Sequence, residues 1–600
     1  MKFLLLFTLG PVQSFIAQAR KTHDLYAGSR LLSELIKTAI DTAGGEKQLI
    51  FPKIGAAMPN RFLIEVPEKE TNLEAYGQKV ERAVRAKWNQ IAQVALTGFK
   101  KPVGFDEQIE QHLEIFWAIE PLGNKFEDTV KHLDKQVTAM KNIRSFSQYN
   151  WQNNAVGERG RKCSLDGQRN VQFYRSKVGQ KLQAINSPLY STEGGVCIKD
   201  DFKPDVLQPG EGLSAVGFVK RRYRPENTPE FESTAEIALL DALNFLQDKI
   251  NNVVSSIRLH EYKNAFDNFN AQLFYEEGLS EQFLQKQGIT CNRPLDELST
   301  IRKIYLEDFA RENGFRFQKY YAILTFDGDD MGKWLSGKYL IDTSKLREFQ
   351  EKFADCLANF AQAAKKRLDN QSGQTVYAGG DDFLGFVNLN HILPVLRKLR
   401  QLFEAKVHLP LLPYMQENKR ISFSAGICMA HYKEPLSLVL QEAKNAQKKA
   451  KELKTKDAFA ISVIKGSGES HLTVLPFETG AKNVERLEKL IKALIEGGFS
   501  NSFISAMHRE FARLLDFKGG LLLFEEMFRN ELKRLLNRAA NKSWSKETKS
   551  HNVEDATNEL LELYGFQSTE NFFHMLHIAD FLKREMDEPK KSSKPEPQTT

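Results

Sequence analysis

The chain has 600 residues, of which 41% are hydrophobic and 27% are charged. Its length is too great for one compact core, and its composition is that of a globular protein with several domains. The 84 basic and 77 acidic residues leave a net charge of +7. This charge is compatible with an anionic partner and also with the absence of one. No apolar run reaches the ~18 residues that a membrane span needs. Five scattered cysteines predict a reducing, cytoplasmic compartment.

The first 100 residues predict the element order β-α-β-β-α. The run FLLLFTL at 3–9 is typical of a buried strand, and residues 12–40 carry apolar positions at helical spacing. QLIF at 48–51 and RFLIEV at 61–66 predict the two strands of a hairpin, and a charged helix follows at about 70–96.

The middle of the chain lacks the regular apolar periodicity of the first 100 residues, and the end of the chain has helical periodicity. Residues 150–230 are rich in glycine, glutamine, arginine and proline, and their poor apolar periodicity predicts an irregular or small-β insertion. Helical patterns return at 232–310, and nearly the whole chain from 482 onward has helical periodicity. The final segment DEPKKSSKPEPQTT is polar and proline-rich, so we expect it to be disordered.

A β-α-β-β-α-β order lies between these segments. Its elements are the strand YYAILTF (320–326), a helix at 344–368, the strands TVYA and FLGFV, a helix at 391–404, the strand RISFSAGICMA (420–430) and a lysine-rich helix at 435–454. This order is that of the ferredoxin-like or palm topology. Because the N-terminal segment has a similar order, we expect an internal repeat of a palm-like unit.

The segment TVYAGGDDFLGFV, residues 375–387, places two glycines and two aspartates between two apolar strands. Gly379 and Gly380 free the backbone for a tight turn and let a ligand approach closely. Asp381 and Asp382 then lie at the tip of the hairpin, where their like charges repel unless a cation lies between them. A hard divalent ion with oxygen ligands, usually Mg²⁺, relieves that repulsion.

Asp327 ends the apolar strand in the segment LTFDGDDMGKWLSG. In palm order that strand lies beside the hairpin, so Asp327 is expected to reach the same ion as Asp381 and Asp382. Three such carboxylates can hold two metal ions that orient a triphosphate and lower the pKa of an attacking hydroxyl. The predicted reaction is nucleotidyl transfer with release of pyrophosphate. The tetrad GGDD alone is also typical of an ordinary solvated turn, and Asp329 and Asp330 are either supporting groups or a helix N-terminus.

Four segments together resemble one family: GPVQSFIAQARKTHDLYAGSRLLSEL, YYAILTFDGDDMGKWLSG, YAGGDDFLGFV and SFSAGICMAHYKEPL. They are similar to the large palm-domain subunit of type III-B CRISPR–Cas effector complexes, of the Cmr kind, from residue 1 to about 465. The resemblance implies an α+β multidomain fold with two ferredoxin-like palm domains, a zinc-binding insertion, a helical linker and a C-terminal helical bundle. It also implies that binding of target RNA triggers the joining of ATP into cyclic oligoadenylate. The partners implied are a guide CRISPR RNA, the target RNA and other Cmr subunits, with no membrane.

The family pattern implies domain boundaries and a division of labour between the palms. We expect a non-catalytic palm-like domain at 1–149, an irregular insertion at 150–231, a helical linker at 232–312, a catalytic palm domain at 313–466, a helical bundle at 467–585 and a disordered tail at 586–600. The first palm has GAAMPN (55–60) where the carboxylate tip would be. It carries no acid there, so it is not expected to catalyse.

The resemblance also implies the residues of the site. The implied metal ligands, for two Mg²⁺ or Mn²⁺ ions, are Asp327, Gly328, Asp381 and Asp382, of which the three aspartates are catalytic, and Gly328, Gly379 and Gly380 lie beside the nucleotide. Gly28 and Ser29, in YAGS, are similar to a segment that contacts a second nucleotide between the palms, although close helix packing is an alternative. Lys465 is a candidate for a triphosphate contact.

Basic side chains leave two interpretations open. Lys448, with Lys444 and Lys451 on the helix after the last palm strand, either meets phosphates or belongs to a solvated face. The runs KRRYR (220–224) and KRLLNRAANKSWSKETK (533–549) either contact RNA or are likewise solvated faces.

The chain departs from the family in two places. Many relatives begin with an HD nuclease domain, but the only HD dipeptide here, His23-Asp24, lies inside a predicted helix, so we expect no DNase activity. In the insertion, RKCSLDG (161–167) has Asp166 at the second cysteine of a Cys-x-x-Cys-Gly pattern, Cys197 lacks a near partner, and Ser214 stands where another ligand is expected. Because structural zinc needs four ligands, mostly Cys or His, a zinc-free fold is favoured.

Alternative functions remain at this point. The same site could adenylate S-adenosylmethionine instead of a second ATP, because only the acceptor pocket would differ. The chain could instead be an RNA-binding scaffold subunit with a vestigial site, or a stand-alone dinucleotide cyclase or polymerase. The intact carboxylates argue against pure scaffolding, and the N-terminal palm and the insertion argue against a stand-alone enzyme.

Overall fold

A computed structural model of the chain describes residues 2–55, 58–68, 70–143, 160–175, 194–198, 206–208, 210–225, 231–248, 252–369, 371–466, 470–500, 502–512, 525–565 and 568–586. Two alanines of GAAMPN, much of the insertion and the expected disordered tail beyond Met586 lie outside the described residues. Every helix within these ranges is too short or too polar to cross a lipid bilayer.

The N-terminal part of the chain contains a four-stranded antiparallel sheet. Its elements are β1 (Phe3–Gly10), α1 (Gln13–Ala17), α2 (Thr22–Thr42), β2 (Leu49–Phe51), β3 (Arg61–Glu65), α3 (Leu73–Leu96), α4 (Phe105–Glu110), β4 (Glu114–Pro121) and α5 (Phe126–Asn142). The strand order is β2-β3-β1-β4. FLLLFTL is apolar throughout because both faces of β1 are covered: Leu5 and Phe7 pack with α2 and α3, and Leu4 and Leu6 pack with α5.

The insertion and the linker follow. Their elements are β5 (Phe173–Tyr174), β6 (Val196–Cys197), β7 (Gly212–Leu213), α6 (Ala215–Arg222), α7 (Thr234–Gln247), α8 (Val253–Asn264), α9 (Glu281–Gln287), α10 (Leu295–Thr300) and α11 (Phe309–Glu312). The described strands of the insertion are very short, as the poor periodicity predicts, and they pair in the order β6-β5-β7. A capping box between Ser233 and Glu236 fixes the start of α7.

The second sheet has six strands. Its elements are β8 (Tyr320–Gly328), α12 (Met331–Leu335), α13 (Leu346–Asp369), β9 (Gly373–Ala378), β10 (Asp382–Asn388), α14 (Ile392–Phe403), α15 (Leu409–Leu411), β11 (Phe423–His431), α16 (Leu436–Glu452), β12 (Ala458–Ile464) and β13 (Ser470–Pro476). The strand order is β13-β12-β11-β8-β10-β9, with β8 between the hairpin and β11. The β-α-β-β-α-β order predicted for this part is confirmed.

Both faces of the second sheet are covered. The alternation of side chains along β8 decides on which face Asp327 lies. Leu324 and Phe326 pack with α13 and α14 on one face. Tyr321 and Ile323 pack with α7 and α16 on the other face, in the same core as α2 of the N-terminal part. Because side chains alternate along a strand, Asp327 lies on the second of these faces.

The C-terminal part is helical. It consists of α17 (Lys482–Ile495), α18 (Ser502–Ala512), α19 (Glu525–Ala539), α20 (Lys546–Tyr564) and α21 (Thr569–Glu585). Helix α21 covers the edge strand β13, where the side chain of Asn571 accepts a hydrogen bond from Val474 N at 2.9 Å and donates one to Val474 O at 2.8 Å. This contact satisfies backbone groups that an open sheet edge would leave unpaired.

Neither interpretation of the run KRRYR describes its first two residues. Lys220 and Arg221 are each only 1% exposed, so they neither contact RNA nor form a solvated face. Lys220 Nζ donates to the carbonyl oxygens of Phe15, Ile16 and Gln18 at the end of α1. The charges of α6 therefore join the insertion to the N-terminal sheet, a role that charge alone does not reveal in a sequence.

Candidate active site

A two-residue turn forms the tip of the β9–β10 hairpin. Gly379 N donates to Asp382 O at 2.8 Å, so Gly380 and Asp381 are the central residues of the turn. Gly380 has φ +102°, as the first central residue of a type II′ turn requires. A Cβ at Gly380 would also lie 3.1 Å from Leu357 Cβ. The second glycine of GGDD is thus required by both conformation and space.

The hairpin brings the predicted carboxylates to one end of the sheet. Asp327 lies directly opposite Asp382 in the antiparallel pairing of β8 and β10. Opposite residues in such a pair share a face, and their Cβ atoms are about 4.5–5.5 Å apart. Asp381 is next to this pair, and its carbonyl oxygen accepts a hydrogen bond of 2.9 Å from Gly328 N. The aspartates, far apart in sequence, are neighbours in the fold.

The carboxylates repel one another. Burial raises the pKa of Asp381 to about 6, with the charge of Asp327 as a further cause. Burial likewise raises the pKa of Asp382 to about 7, and the charges of Asp327 and Asp381 add to the shift. A site whose acids resist ionisation in this way gains free energy from a nearby cation.

One face of α16 carries lysines towards these acids. Lys451 Nζ forms an ion pair with the Asp327 carboxylate and also donates to Gly328 O at 3.3 Å. Burial lowers the pKa of Lys444, and the charge of Asp382 acts in the opposite direction. Lys448 is exposed and lies between them at helical spacing. Two of the three lysines therefore face the acids.

The other two acids of FDGDD have separate structural roles. Asp329 is buried and accepts hydrogen bonds from Ser422 Oγ at 2.7 Å, Ser424 Oγ at 2.8 Å and Asp457 N at 3.1 Å, and burial raises its pKa. It therefore joins the ends of β8, β11 and β12. Asp330 begins α12. Asp329 is thus a supporting group, and Asp330 belongs to a helix N-terminus.

Residues with left-handed backbone in two segments support the same end of the sheet. Asp330, just before α12, has φ 56°, and Lys456 and Asp457, between α16 and β12, have φ of 50° and 46°. Lys456 Nζ lies 2.7 Å from Asp330 Oδ1, and Asp457 forms paired 2.8 Å hydrogen bonds with the buried Arg400. Non-glycine residues in this region cost roughly 1–3 kcal/mol each and cluster at functional sites. The sequence does not reveal this left-handed backbone, because none of the three residues is a glycine.

Tyr377 also lies in the site, although the sequence analysis does not name it. Its hydroxyl donates to Asp382 Oδ1 at 3.0 Å. Burial and the neighbouring Asp382 charge raise the pKa of Tyr377 well above its usual range, so it is a neutral donor. The signal was present, since Tyr377 is opposite Leu384 and therefore on the same face as Asp382.

One predicted nucleotide contact, Lys465, lies away from the acids. Lys465 follows β12, whose first residue Ala458 is at the carboxylate end, so Lys465 lies roughly 20 Å along the strand from that end. Its Nζ is 3.0 Å from His471 Nε2. The sheet thus separates Lys465 from the acids, because β12 runs parallel to β11 and away from them.

The YAGS segment lies inside α2, where packing accounts for its small residues. A Cβ on Gly28 would lie 2.7 Å from Lys220 Cε and 3.4 Å from Ile16 Cα. Ser29 is buried. These contacts support the packing alternative for Gly28, and a nucleotide contact by either residue stays a prediction.

The His23-Asp24 dipeptide is part of a buried ion network. Arg221 donates to both carboxylate oxygens of Asp24, at 2.5 and 2.9 Å, and both side chains are 0% exposed. Burial, followed by the charge of Arg224, lowers the pKa of His23 to about 3. Asp24 is thus already neutralised by the protein, which leaves it unsuited to metal binding.

The acids fit a divalent cation in chemistry, although their side chains are otherwise engaged. Among the described residues, no three His, Cys, Asp or Glu side chains are already arranged to hold a metal. Asp327 is paired with Lys451, and Asp382 accepts from Tyr377. Their carboxylate oxygens are nevertheless the donors that hard cations prefer, and a cation would offset both the burial and the mutual repulsion that raise the pKa values of the hairpin acids.

Two family models match the chain. Residues 320–460 match the model described as Cas10/Cmr2, second palm domain, and this range includes strands β8 and β10, which carry the acids. Residues 4–56 match the model described as CRISPR-associated protein Cmr2, N-terminal.

Known proteins and structures are similar over most of the chain. The CRISPR system Cmr subunit Cmr2 of Pyrococcus furiosus is 26% identical over an alignment of 595 residues, which covers 84% of this chain and 66% of that protein. The chain thus spans about two thirds of that relative. Among solved structures, type III-B Cmr-beta bound to cognate target RNA matches with a TM-score of 0.65 at 13% identity, covering 97% of this chain and 83% of that one. The apo state of Cmr-beta matches with a TM-score of 0.66 at 14% identity, covering 97% and 82%. At these identities the two structures support the fold.

Proposed function

The chain belongs to the Cas10/Cmr2 family, and from that premise we propose that it is the catalytic large subunit of a type III-B CRISPR RNA-guided effector complex. In this proposal it acts with other Cmr subunits, a guide CRISPR RNA and a target RNA. On target binding, its palm site joins ATP molecules into a cyclic oligoadenylate messenger and releases pyrophosphate. The single observation that carries the proposal is the opposition of Asp327 and Asp382 across β8 and β10, next to Asp381.

The residues of the site would have different roles in nucleotidyl transfer. Asp327, Asp381, Asp382 and the carbonyl oxygen of Gly328 would hold two Mg²⁺ or Mn²⁺ ions, which when bound neutralise the triphosphate and lower the pKa of an attacking hydroxyl. Gly379 would leave space for the nucleotide beside the turn, and Gly380 lets the turn pack against Leu357.

The lysine face of α16 would supply the remaining positive charge. Lys444 and Lys451 already lie beside the acids, and exposed Lys448 is on the same face. Lys451 pairs with Asp327, so that ion pair must open when a cation takes its place. A released Lys451 is then close enough to pair with a phosphate oxygen, which would keep the charge of the site balanced.

The test is product analysis of the complex assembled with guide RNA. With ATP, Mn²⁺ or Mg²⁺ and target RNA, mass spectrometry should detect cyclic oligoadenylate, and omission of target RNA should abolish it. S-adenosylmethionine is then added to the same reaction. A product in which it carries an adenylyl group would favour that acceptor, and no nucleotide product in either reaction would favour a scaffold subunit.

Tyr377→Phe is expected to weaken metal-dependent activity without unfolding the chain. The hydroxyl hydrogen bond acts to lower the pKa of Asp382, so its loss raises that pKa further and lets protons compete with metal. We expect the half-saturating Mn²⁺ concentration at pH 7 to rise about 3- to 10-fold, as the loss of one hydrogen bond predicts. The deficit should shrink at pH 8.5, where Asp382 is ionised in both proteins.

Tyr321→Phe is the matched control for this prediction. Tyr321 is buried on β8, on the face of the sheet that also carries Tyr377, and its hydroxyl has no hydrogen-bond partner among the described residues. Removing that hydroxyl should leave the Mn²⁺ dependence unchanged. Equal metal dependence in Tyr377→Phe and Tyr321→Phe would remove Tyr377 from the site.

A further inference from the structure

Two pairs of positions in the insertion have the spacing of a Cys-x-x-Cys motif. They are Cys163 with Asp166 and Ser214 with Gly217, and two residues separate the members of each pair. Ser214 Oγ donates to Asp166 Oδ2 at 3.1 Å. A Cβ on Gly217 would lie 3.3 Å from both Cys163 Sγ and Ser214 Oγ. The four positions, which we name the knuckle cluster, therefore converge on one point. Two pairs with this spacing are the arrangement in which four cysteines hold structural zinc.

The residues of the knuckle cluster do not fit zinc. Only Cys163 carries a thiol, Ser214 offers a hydroxyl, and Gly217 offers no side chain. Burial, with the charge of Asp166, raises the pKa of the Cys163 thiol, which disfavours the thiolate that binds metal. Cys197 is exposed on β6 and supplies no second buried thiol.

Asp166 instead uses its carboxylate to hold the loop and α6 together. Its side chain is 3% exposed. Oδ1 accepts from Gln168 N at 2.8 Å and Arg169 N at 3.0 Å, and Oδ2 accepts from Arg169 Nη1 at 3.2 Å as well as from Ser214 Oγ. Ser214 Oγ in turn accepts from Gly217 N at 3.1 Å. The acceptor capacity of the carboxylate is therefore filled by protein groups, and Arg169 neutralises its charge.

We infer that the described residues of the insertion do not bind zinc, and that the hydrogen bonds of Asp166 and Ser214 close the knuckle cluster in place of a metal. A carboxylate reaches the backbone N–H groups of its own loop, and a serine hydroxyl bridges it to α6. The two halves of the cluster are thus joined without a cation. The inference is independent of the nucleotide chemistry proposed above, because none of these residues lies at the second sheet.

The first measurement is the zinc content of the wild-type full chain. After incubation with zinc and dialysis, elemental analysis should find far less than one zinc per chain, and a chelator should leave the melting temperature unchanged. About one zinc per chain, removed by the chelator with a fall in melting temperature, would overturn the inference.

The second measurement uses the convergence of the four positions. Asp166→Cys, Ser214→Cys and Gly217→Cys together should create a site for one zinc per chain, and the melting temperature of this variant should become sensitive to the chelator. Adding Cys163→Ser to the same variant is the matched control and should abolish zinc binding. A folded triple variant that takes up no zinc contradicts the convergence, and if the triple variant does not fold, the wild-type zinc content still decides.

A third variant tests the hydrogen bonds themselves. Asp166→Ala leaves two backbone N–H groups and Ser214 Oγ without their acceptor, so the melting temperature should fall and added zinc should not restore it. A melting temperature equal to that of the wild-type chain would show that Asp166 does not close the cluster.

Discussion

Replacing Asp381 and Asp382 together by alanine is expected to lower the rate of nucleotide product formation about 10³-fold or more. The substitution removes two of three carboxylates that would hold the metals, and metal stabilisation of transition-state charge is worth several kcal/mol. The variant should still fold, because the raised pKa values of these acids mean that their charges oppose folding above about pH 7. The measurement is product formation by the assembled complex, with the melting temperature recorded in parallel.

Glu547→Ala is the control for this variant. Glu547 is an exposed acid in the first turn of α20, in the helical C-terminal part of the chain. Its removal changes the net charge in the same direction and should leave the rate within about twofold. Full activity in the Asp381→Ala/Asp382→Ala variant would contradict the assignment of the active site to these residues.

Replacing Arg221 by alanine is expected to cause the largest loss of stability. Arg221 donates to Asp24 and to Glu211, and all three side chains are at most 3% exposed. Removing the arginine leaves two buried carboxylates without a counter-charge, which costs about 3–5 kcal/mol. We expect the first transition in denaturant unfolding to shift to a lower concentration, because this network joins α6 of the insertion to α2.

Arg222→Ala provides the comparison on the same helix. Arg222 is half-buried, and its guanidinium packs over the rings of Phe99 and Phe218, an interaction worth about 0.5–1 kcal/mol. Adding Asp24→Asn and Glu211→Gln to Arg221→Ala should recover part of the lost stability, since the remaining groups are then neutral. Equal shifts for Arg221→Ala and Arg222→Ala would mean that the buried charges do not hold the two parts together.

The elements that carry the acids could be predicted because their signals are local. The apolar run before Asp327, the glycine pair before Asp381 and the β-α-β-β-α-β order are all visible in short windows of sequence. A two-residue turn also fixes the hairpin register, and register then decides which face the acids share. The opposition of Asp327 and Asp382 follows from these signals.

The partners of the acids could not be predicted, because they depend on tertiary packing. The ion pair of Lys451 with Asp327 requires α16 to lie across β8, and the sequence alone leaves the lysine face either solvated or bound to phosphate. Likewise, the basic run KRRYR has the composition of an RNA contact, yet Lys220 and Arg221 are buried by acids and carbonyl groups from other segments. Charge in a sequence predicts exposure only when no distant counter-charge is available.

The strand β4 and the position of Lys465 illustrate two further limits. EIFWAIEP shows no clear alternation of apolar and polar residues, and most of its side chains are only partly buried, so periodicity does not predict β4. Lys465 follows an apolar strand that continues the family resemblance, but β12 runs parallel to β11 and carries Lys465 away from the acids. Strand direction depends on the connection through α16, which periodicity does not reveal.

Locating bound metal is the most direct test of the central claim. The complex, with Mn²⁺ and a non-hydrolysable ATP analogue, is suited to a structure determination that uses the anomalous signal of manganese. The account predicts manganese within coordination distance, about 2.0–2.3 Å, of carboxylate oxygens from both Asp327 and the Asp381–Asp382 turn, with the Lys451 ion pair broken. Manganese bound elsewhere, or a nucleotide bound with Lys451 still on Asp327, would contradict it.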